Sequence, residues 1–428
     1  MWLRSPNVGN SNNVYYVNTS GASTNNNANN AYGVSLDRIT DRKDRSGGSK
    51  PGNGAETPLL CKELQTLPRI SHAANQNRRR RQRATSVPPI SSDPFSFANL
   101  LRAAHGCSAG VMWKNSVMKW YLNRLSLCRK LERDLASGKY RLGAYVVFDV
   151  ITPKRRTIRS LLFRDRVAQR AMCNNGLYDD LTRGNIYDNG ACQNCKGTLF
   201  ALDRLKVQLR RYAAKYGDDG WVLRLDISKF FDSIPHDRLR EMVWRKVKNP
   251  VFAGMVCRII DSFDGDRGIG LGSQVSQLLA VSYLSDLDHE IKERFRIHCY
   301  SRYSDDIVLV CPDREKLQRC YEVIRERLAG LGLSLNPKST LHSLKQGIVY
   351  LKFRFVIKPT GKVIYYATSP LIVRARRKFR RMIGKYKRGE IGIEAIRQSF
   401  NSWASFVMYG CRQQRVYHLK HQIERALT

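Results

Sequence analysis

The sequence predicts an α+β fold, an antiparallel sheet with helices on one face. Two strand-terminal carboxylate clusters separated by helical stretches set this expectation: WVLRLDI, which carries Asp226, and SRYSDDIVLVC, which carries Asp305 and Asp306. A third observation, apolar residues at helical spacing with Lys and Arg between them over roughly the last 80 positions, adds a helical C-terminal part.

The elements follow in order. From Phe97 to Leu135, Leu100, Leu101 and Ala104 and then Met118, Tyr121, Leu122 and Leu125 recur at helical spacing, which predicts two helices. AYVVFDVITP reads as a strand stopped by Pro153, and KRRTIRSLLFRDRVAQRAM begins extended and becomes helical. Leu202, Leu205, Leu209 and Tyr212 define an amphipathic helix over 198–216, ended by GDDG. After the WVLRLDI strand, helices are expected at 236–248 and 274–295, the second long and apolar. SRYSDDIVLVC then places two aspartates between two β-rich runs, the pattern of a hairpin.

The chain has 428 residues, with 74 Lys+Arg against 36 Asp+Glu, a formal charge of +38. That excess excludes a charge-neutral enzyme of small metabolites and points to a polyanion, nucleic acid before an anionic membrane surface. No apolar run reaches about 18 residues and the N-terminus lacks a signal-like h-region, so neither a membrane span nor secretion is expected, and the setting is cytoplasmic. The 11 cysteines are odd in number and scattered, as reduced core thiols are. Cys192 and Cys195 have zinc-ligand spacing, but no second pair follows at a finger-like distance.

Residues 1–34 are dense in Asn, a composition no packed core uses, and are read as disordered. Residues 35–95 continue polar and include the run Arg78 to Arg81 with Arg83, either a solvated basic linker or an arm that follows a phosphate backbone. Folded structure is expected from residue 96, in two parts, 96–345 and 346–428.

Chemistry concentrates at the carboxylates. Aspartates at strand ends often just begin turns. Here two clusters occur in order in a strongly basic chain, with a Gly-Ser-Gln loop between them at Gly270 to Gln277. Carboxylates brought together from different strands repel unless cations lie between them, and hard divalent ions with oxygen ligands suit the arrangement. A two-metal site is the natural reading.

The motifs are specific. Asp226 with Phe231, in LRLDISKFFDSI, resembles polymerase motif A, and Tyr303-Ser304-Asp305-Asp306 resembles the YxDD box of reverse transcriptases. KRRTIRSLLFRDRVAQ is similar to that family's fingers block, ACQNCKGT precedes motif A in family order, LSLNPKST resembles the Leu-Asn-x-x-Lys block, and YLKFRF resembles the Tyr/Phe-Leu-Gly-Phe strand. Lys352 departs from the pattern, which usually has Gly there. The resemblance runs from about residue 97 to the C-terminus and implies a right-hand fold of fingers, palm and helical thumb. The loop Leu271-Gly272-Ser273-Gln274-Val275-Ser276-Gln277 replaces the usual Gln-Gly-x-x-x-Ser-Pro and is similar to the enzymes of diversity-generating retroelements, of bacteria and their phages. Those enzymes copy a template-repeat RNA with errors at adenines. MWLRSPNVGNSNNVYYVNTSGASTNNNANNAYGV is similar to the variable segment of a target protein of such elements, and Asn codons begin with two adenines, so residues 1–34 read as translated template repeat or, failing that, as a low-complexity tail.

The resemblance implies an RNA-directed DNA polymerase with template RNA, primer or cDNA duplex and dNTPs as partners, and a small basic helical accessory protein besides. It implies Asp226, Asp305 and Asp306 as catalytic residues holding two Mg²⁺ ions, with Mn²⁺ as a substitute and the Ile227 carbonyl as a further ligand. Phe231 corresponds to the steric gate against a ribose 2′-hydroxyl, or is a core Phe. Lys154 and Arg156 would contact the triphosphate, Lys338 would approach it or cap a turn, and Leu271 and Gln274 would pack against the nascent base pair. Arg374, Arg376, Arg377, Lys378, Arg380 and Arg381 would grip duplex backbone. Rival readings are a retron or group II intron type of reverse transcriptase, and a catalytically silent polymerase-like RNA-binding protein.

Overall fold

The computed structural model describes residues 14–17, 23–26, 91–151, 155–409 and 414–427. In the Asn-rich segment, β1 (Val14–Val17) and β2 (Ser23–Asn26) pair antiparallel with Val14 opposite Asn26. Disorder is the expectation there. For these strands the β-branched and aromatic VYYV run supplies a preference that the polar composition hides. The arginine run at Arg78 lies outside the described residues.

The N-terminal helical region forms three helices, α1 (Phe97–Ser108), α2 (Asn115–Leu122) and α3 (Arg124–Ala136), where two are expected. Asn123, at φ −95° and ψ 17°, interrupts the second run. A hairpin of β3 (Val146–Val150) and β4 (Arg156–Ser160) follows, then α4 (Phe163–Met172), a π-turn and α5 (Tyr178–Thr182). Helix α6 (Thr198–Tyr216) ends where Gly217 takes a φ of 62° and donates its N–H to the Ala213 carbonyl, a stop the GDDG motif predicts.

Strand β5 (Trp221–Asp226) leads through the single turn α7 (Phe230–Ser233) into α8 (His236–Lys246) and α9 (Pro250–Asp261). The last is absent from the sequence reading although it carries a start signal: Asn249 caps it through its side chain and Pro250 occupies its first position. The long helix expected at 274–295 is α10 (Gln274–Tyr283) and α11 (Ser285–His289), broken at Leu284 and continued by a π-turn. Then come β6 (Cys299–Tyr303), β7 (Asp306–Cys311), α12 (Arg314–Gly330) and β8 (Thr340–Ser343). The chain closes with β9 (Ile348–Tyr350), β10 (Phe353–Ile357) and β11 (Val363–Ala367), and then α13 (Ser369–Lys387), α14 (Ile393–Met408) and α15 (Gln414–Leu427).

The central sheet has the order β6-β7-β5-β8, with every pairing antiparallel. Side chains alternate across it. Leu223, Leu225, Ile307 and Leu309 join one core with α1, α4 and α8 to α12. Val222, Val308 and Val310 join a second core with α6, the β9-β10-β11 sheet and the three C-terminal helices. The sheet is therefore covered on both faces, where helices on one face are expected. Every residue of β7 is buried, and so it reads as the unbroken apolar run IVLVC. Arg224, Asp226 and Asp306 continue the alternation of Val222 and Val308 and belong to the second face.

Leu223, 2% exposed on a central strand, anchors this arrangement. Leu223→Ala should cost about 2–5 kcal/mol, read as a lower denaturation midpoint in urea with an unchanged slope. Cysteines 107, 128, 173, 257, 299, 311 and 320 are free thiols. Among the described residues, no helix is long and apolar enough to cross a membrane.

Candidate active site

The register of the sheet assembles the site. Asp226, the last residue of β5, faces Asp306, the first residue of β7. Tyr303 also faces Asp306, so Ser304 and Asp305 alone form the connection of the β6–β7 hairpin. Ser304 has a φ of 59°, the left-handed region a non-glycine residue seldom adopts. The tip is fastened to β5: the Ile227 N–H donates to the Asp305 carbonyl at 3.3 Å. The LSLNPKST segment lies against the same strand end, with the Asn336 N–H donating to the Asp226 carbonyl at 2.7 Å and Ser228 to Ser334 at 2.9 Å.

The electrostatics are those of crowded acids. Burial, and then the Asp226 charge, push the Asp305 carboxyl up to about 6, against the pull of Arg156. Burial pushes Asp306 up to about 7, with Asp305 and Asp226 adding to it and Arg224 opposing. Arg224 Nε lies 3.5 Å from Asp306 Oδ1, an ion pair along one face of the sheet. Even so, Asp306 Oδ1 is buried without a hydrogen-bond partner. A buried oxygen held by a long ion pair alone can still serve a cation, and neighbouring carboxylates of like charge are the donor set hard divalent cations take. The residues fit such ions, although among the described residues no group of three carboxylate, His or Cys side chains is gathered as a metal cage.

The other expected site residues are spread over several elements. Arg156 opens β4, and its charge acts on both Asp305 and Lys352. Lys154 lies outside the described residues. Leu271 bridges Ile158 of β4, and its carbonyl accepts the Arg159 N–H at 3.0 Å. Gly272 is required by this approach: its φ is 126°, and a Cβ there would stand 2.8 Å from the Arg159 carbonyl. Gln274 Oε1 accepts from Arg170 of α4 at 3.4 Å, and Ser273, which caps α10, donates to Gln169 Oε1 at 2.7 Å.

Phe231 is half-buried on α7, edge-on to Phe230 at 5.6 Å, and its carbonyl accepts the Ile269 N–H at 2.9 Å. Ile227 is 2% exposed beside Asp226. Lys338 is exposed in a turn where the Asn336 side chain accepts its N–H at 3.1 Å, so Asn336 does the capping. Arg374, Arg376, Arg377, Arg380 and Arg381 form an exposed stripe on α13, opposite Ile372, Ala375 and Phe379, and Lys378 lies half-buried with its ammonium over the Phe379 ring at 5.8 Å.

Sequence reasoning missed Arg224, which stands two residues before Asp226 in an alternating strand. The period of two was the signal that placed both side chains on one face. Lys352, the departure from the usual Gly, has a φ of 72°, so a lysine holds the left-handed position a glycine would take.

Residues 153–355, slightly under half of the chain, match the family described as "Reverse transcriptase (RNA-dependent DNA polymerase)". A reverse transcriptase domain is therefore present, and both carboxylate clusters lie inside it. Protein YkfC of Escherichia coli (strain K12) is 24% identical over 298 residues, covering 58% of this chain and 76% of that protein. Telomerase from Candida albicans, solved in complex with the TWJ fragment of telomeric RNA, aligns at 9% identity and a TM-score of 0.42 over 68% of this chain. That alignment spans 61% of the telomerase chain.

Proposed function

We propose that the chain is an RNA-directed DNA polymerase of the diversity-generating type, using two divalent ions. The observation that carries this reading is the pairing of Asp226 with Asp306, with Asp305 at the adjoining left-handed turn, inside the reverse transcriptase domain. On this reading 96–345 is fingers and palm, and 346–428 completes the palm and forms the thumb.

Asp226, Asp305 and Asp306 would hold the Mg²⁺ ions, with the Ile227 carbonyl as a further ligand. When bound, the ions neutralise charge on the triphosphate and lower the pKa of the attacking 3′-hydroxyl. Arg156 orients the triphosphate beside Asp305, Lys154 is a further contact on sequence grounds, and Lys338 approaches it from the Asn336 turn. The Phe231 ring excludes a 2′-hydroxyl, and the arginines of α13 hold the duplex through its phosphates. Leu271 is a main-chain fixture of β4 and presents an aliphatic side chain where an amide is usual, which removes a polar contact to the nascent pair.

The test is extension of a primer on a heteropolymeric RNA with dNTPs and Mg²⁺, with the products sequenced. Errors should concentrate opposite adenines, and Leu271→Gln should lower them by about tenfold. Equal fidelity at all four template bases would assign the enzyme to another class of reverse transcriptase.

A further inference from the structure

Beneath the catalytic hairpin lies a buried ion pair that neither the metal site nor the nucleotide contacts use. Arg302 of β6 and Asp288 of α11 are both 0% exposed. Arg302 Nε donates to both Asp288 oxygens, at 2.7 and 3.0 Å, and Nη2 donates to Oδ2 at 2.6 Å. Tyr300 donates its hydroxyl to the same carboxylate. The remaining contacts of the guanidinium go to main chain: Nη2 to the Val281 carbonyl at 2.9 Å, and Nη1 to the Ser304 carbonyl at 3.3 Å. One planar fork thus ties the ends of α10 and α11 to the turn that precedes Asp305.

A pair of this kind is a weak source of stability, because well-packed apolar residues of similar volume often hold a core as well. What apolar residues cannot do is donate a hydrogen bond to Ser304. That residue is the strained one, a serine at a φ of 59°, and a left-handed non-glycine position persists only where its surroundings hold it. The strand on either side of Arg302 is also fixed: its N–H donates to the Asp188 carbonyl at 3.3 Å, and its own carbonyl accepts from Gly190 at 2.9 Å. The guanidinium therefore springs from a rigid base and reaches the one connection whose conformation aims Asp305.

We propose that Arg302, clamped by Asp288, is a positioning residue that fixes the Ser304 turn and so orients the Asp305 carboxylate towards a divalent cation. The proposal rests on the polymerase reading for the identity of the reaction, and its test reads cation binding directly. Two variants of the full chain separate the turn from the fold. Arg302→Met with Asp288→Leu replaces the pair by apolar volume, and Arg302→Lys keeps the charge beside Asp288 but loses the fork that reaches Ser304. Mn²⁺ affinity is measured by electron paramagnetic resonance without nucleic acid, alongside the thermal midpoint and, where primers are extended, kcat and KM for dNTP.

Both variants should bind Mn²⁺ about 10- to 100-fold more weakly than the wild type, the range seen when a residue supporting a metal ligand is lost. Arg302→Lys should unfold near the wild-type temperature and the double variant, which leaves the buried Tyr300 hydroxyl unpaired, somewhat below it, while kcat should fall in both by up to about 100-fold with little change in KM. A folded variant with wild-type Mn²⁺ affinity would overturn the proposal. So would failure of both to fold, which would make the pair a requirement of the core. A wild type that binds Mn²⁺ yet extends no primer would sink the polymerase reading and leave this comparison standing.

Discussion

Asp305→Ala should reduce nucleotide incorporation by about 10³-fold or more, because the ions it helps hold supply several kcal/mol of charge stabilisation at the reacting phosphate. The fold should be unharmed. The hairpin tip is fastened through main-chain carbonyls, that of Asp305 accepting from Ile227 and that of Ser304 from Arg302, and alanine keeps both. Removing the carboxylate also relieves a repulsion, since Asp305 is one of the charges that raise Asp306. Incorporation kinetics and a melting curve on the same preparation check both halves: a near-complete loss of rate with a thermal midpoint equal to or above that of the wild type. A folded variant that kept a tenth of the rate would remove Asp305 from the metal site.

Phe231→Ala carries the second large effect. If the ring occupies the space of a ribose 2′-hydroxyl, shortening it should raise the preference for ribonucleotides over deoxynucleotides by about 100-fold, the scale at which a shaped pocket rejects one added hydroxyl. The measurement is kcat/KM for each nucleotide of a matched pair. A purely structural phenylalanine predicts something else: a loss of about 1–3 kcal/mol in stability, with both nucleotides slowed alike. The backbone favours a stable scaffold for the test, because the Phe231 carbonyl is bonded to Ile269 and this contact survives the substitution.

The parts of this architecture legible in the sequence are those where local chemistry and tertiary structure agree. WVLRLD and DIVLVC read as strands because they are apolar, short and bounded by turns, and they are the adjacent strands β5 and β7. The stop at Gly217 was legible because only a glycine readily takes the conformation required there. The 274–295 stretch read as one helix because its apolar pattern continues across Leu284. The break, at Leu284 with φ −99° and ψ 10°, leaves no mark in the composition. Helix α9 was passed over although Asn249-Pro250 announced it. Coverage of both sheet faces was hidden for another reason: α6 lies before β5 in the chain, and nothing local says on which side of the sheet it returns.

Site residues divide in the same way. Asp226, Asp305 and Asp306 stand in motifs, and the register pairs the first with the third. Arg302 stands next to the motif, in RYSDD, yet its partner Asp288 is fourteen residues earlier on another element, and a contact of that kind is a property of the fold alone. Leu271 was singled out for its side chain, whereas its main chain is what couples the Gly270–Gln277 loop to β4, a role any residue type could fill. Lys352 stands where the resembling block usually has Gly. It occupies a left-handed turn position between β9 and β10, and its ammonium is lowered by desolvation and then by Arg374 and Arg156.

The most direct test of the central claim is a single reaction: purified full-length protein, a DNA or RNA primer annealed to an RNA template, dNTPs and Mg²⁺. Template-directed DNA synthesis that stops when EDTA removes the ion and resumes when Mg²⁺ is restored is the predicted result. Tight binding of the primer–template with no added nucleotide, under Mg²⁺ and Mn²⁺ alike, would contradict it and leave a polymerase-shaped protein that binds RNA without copying it.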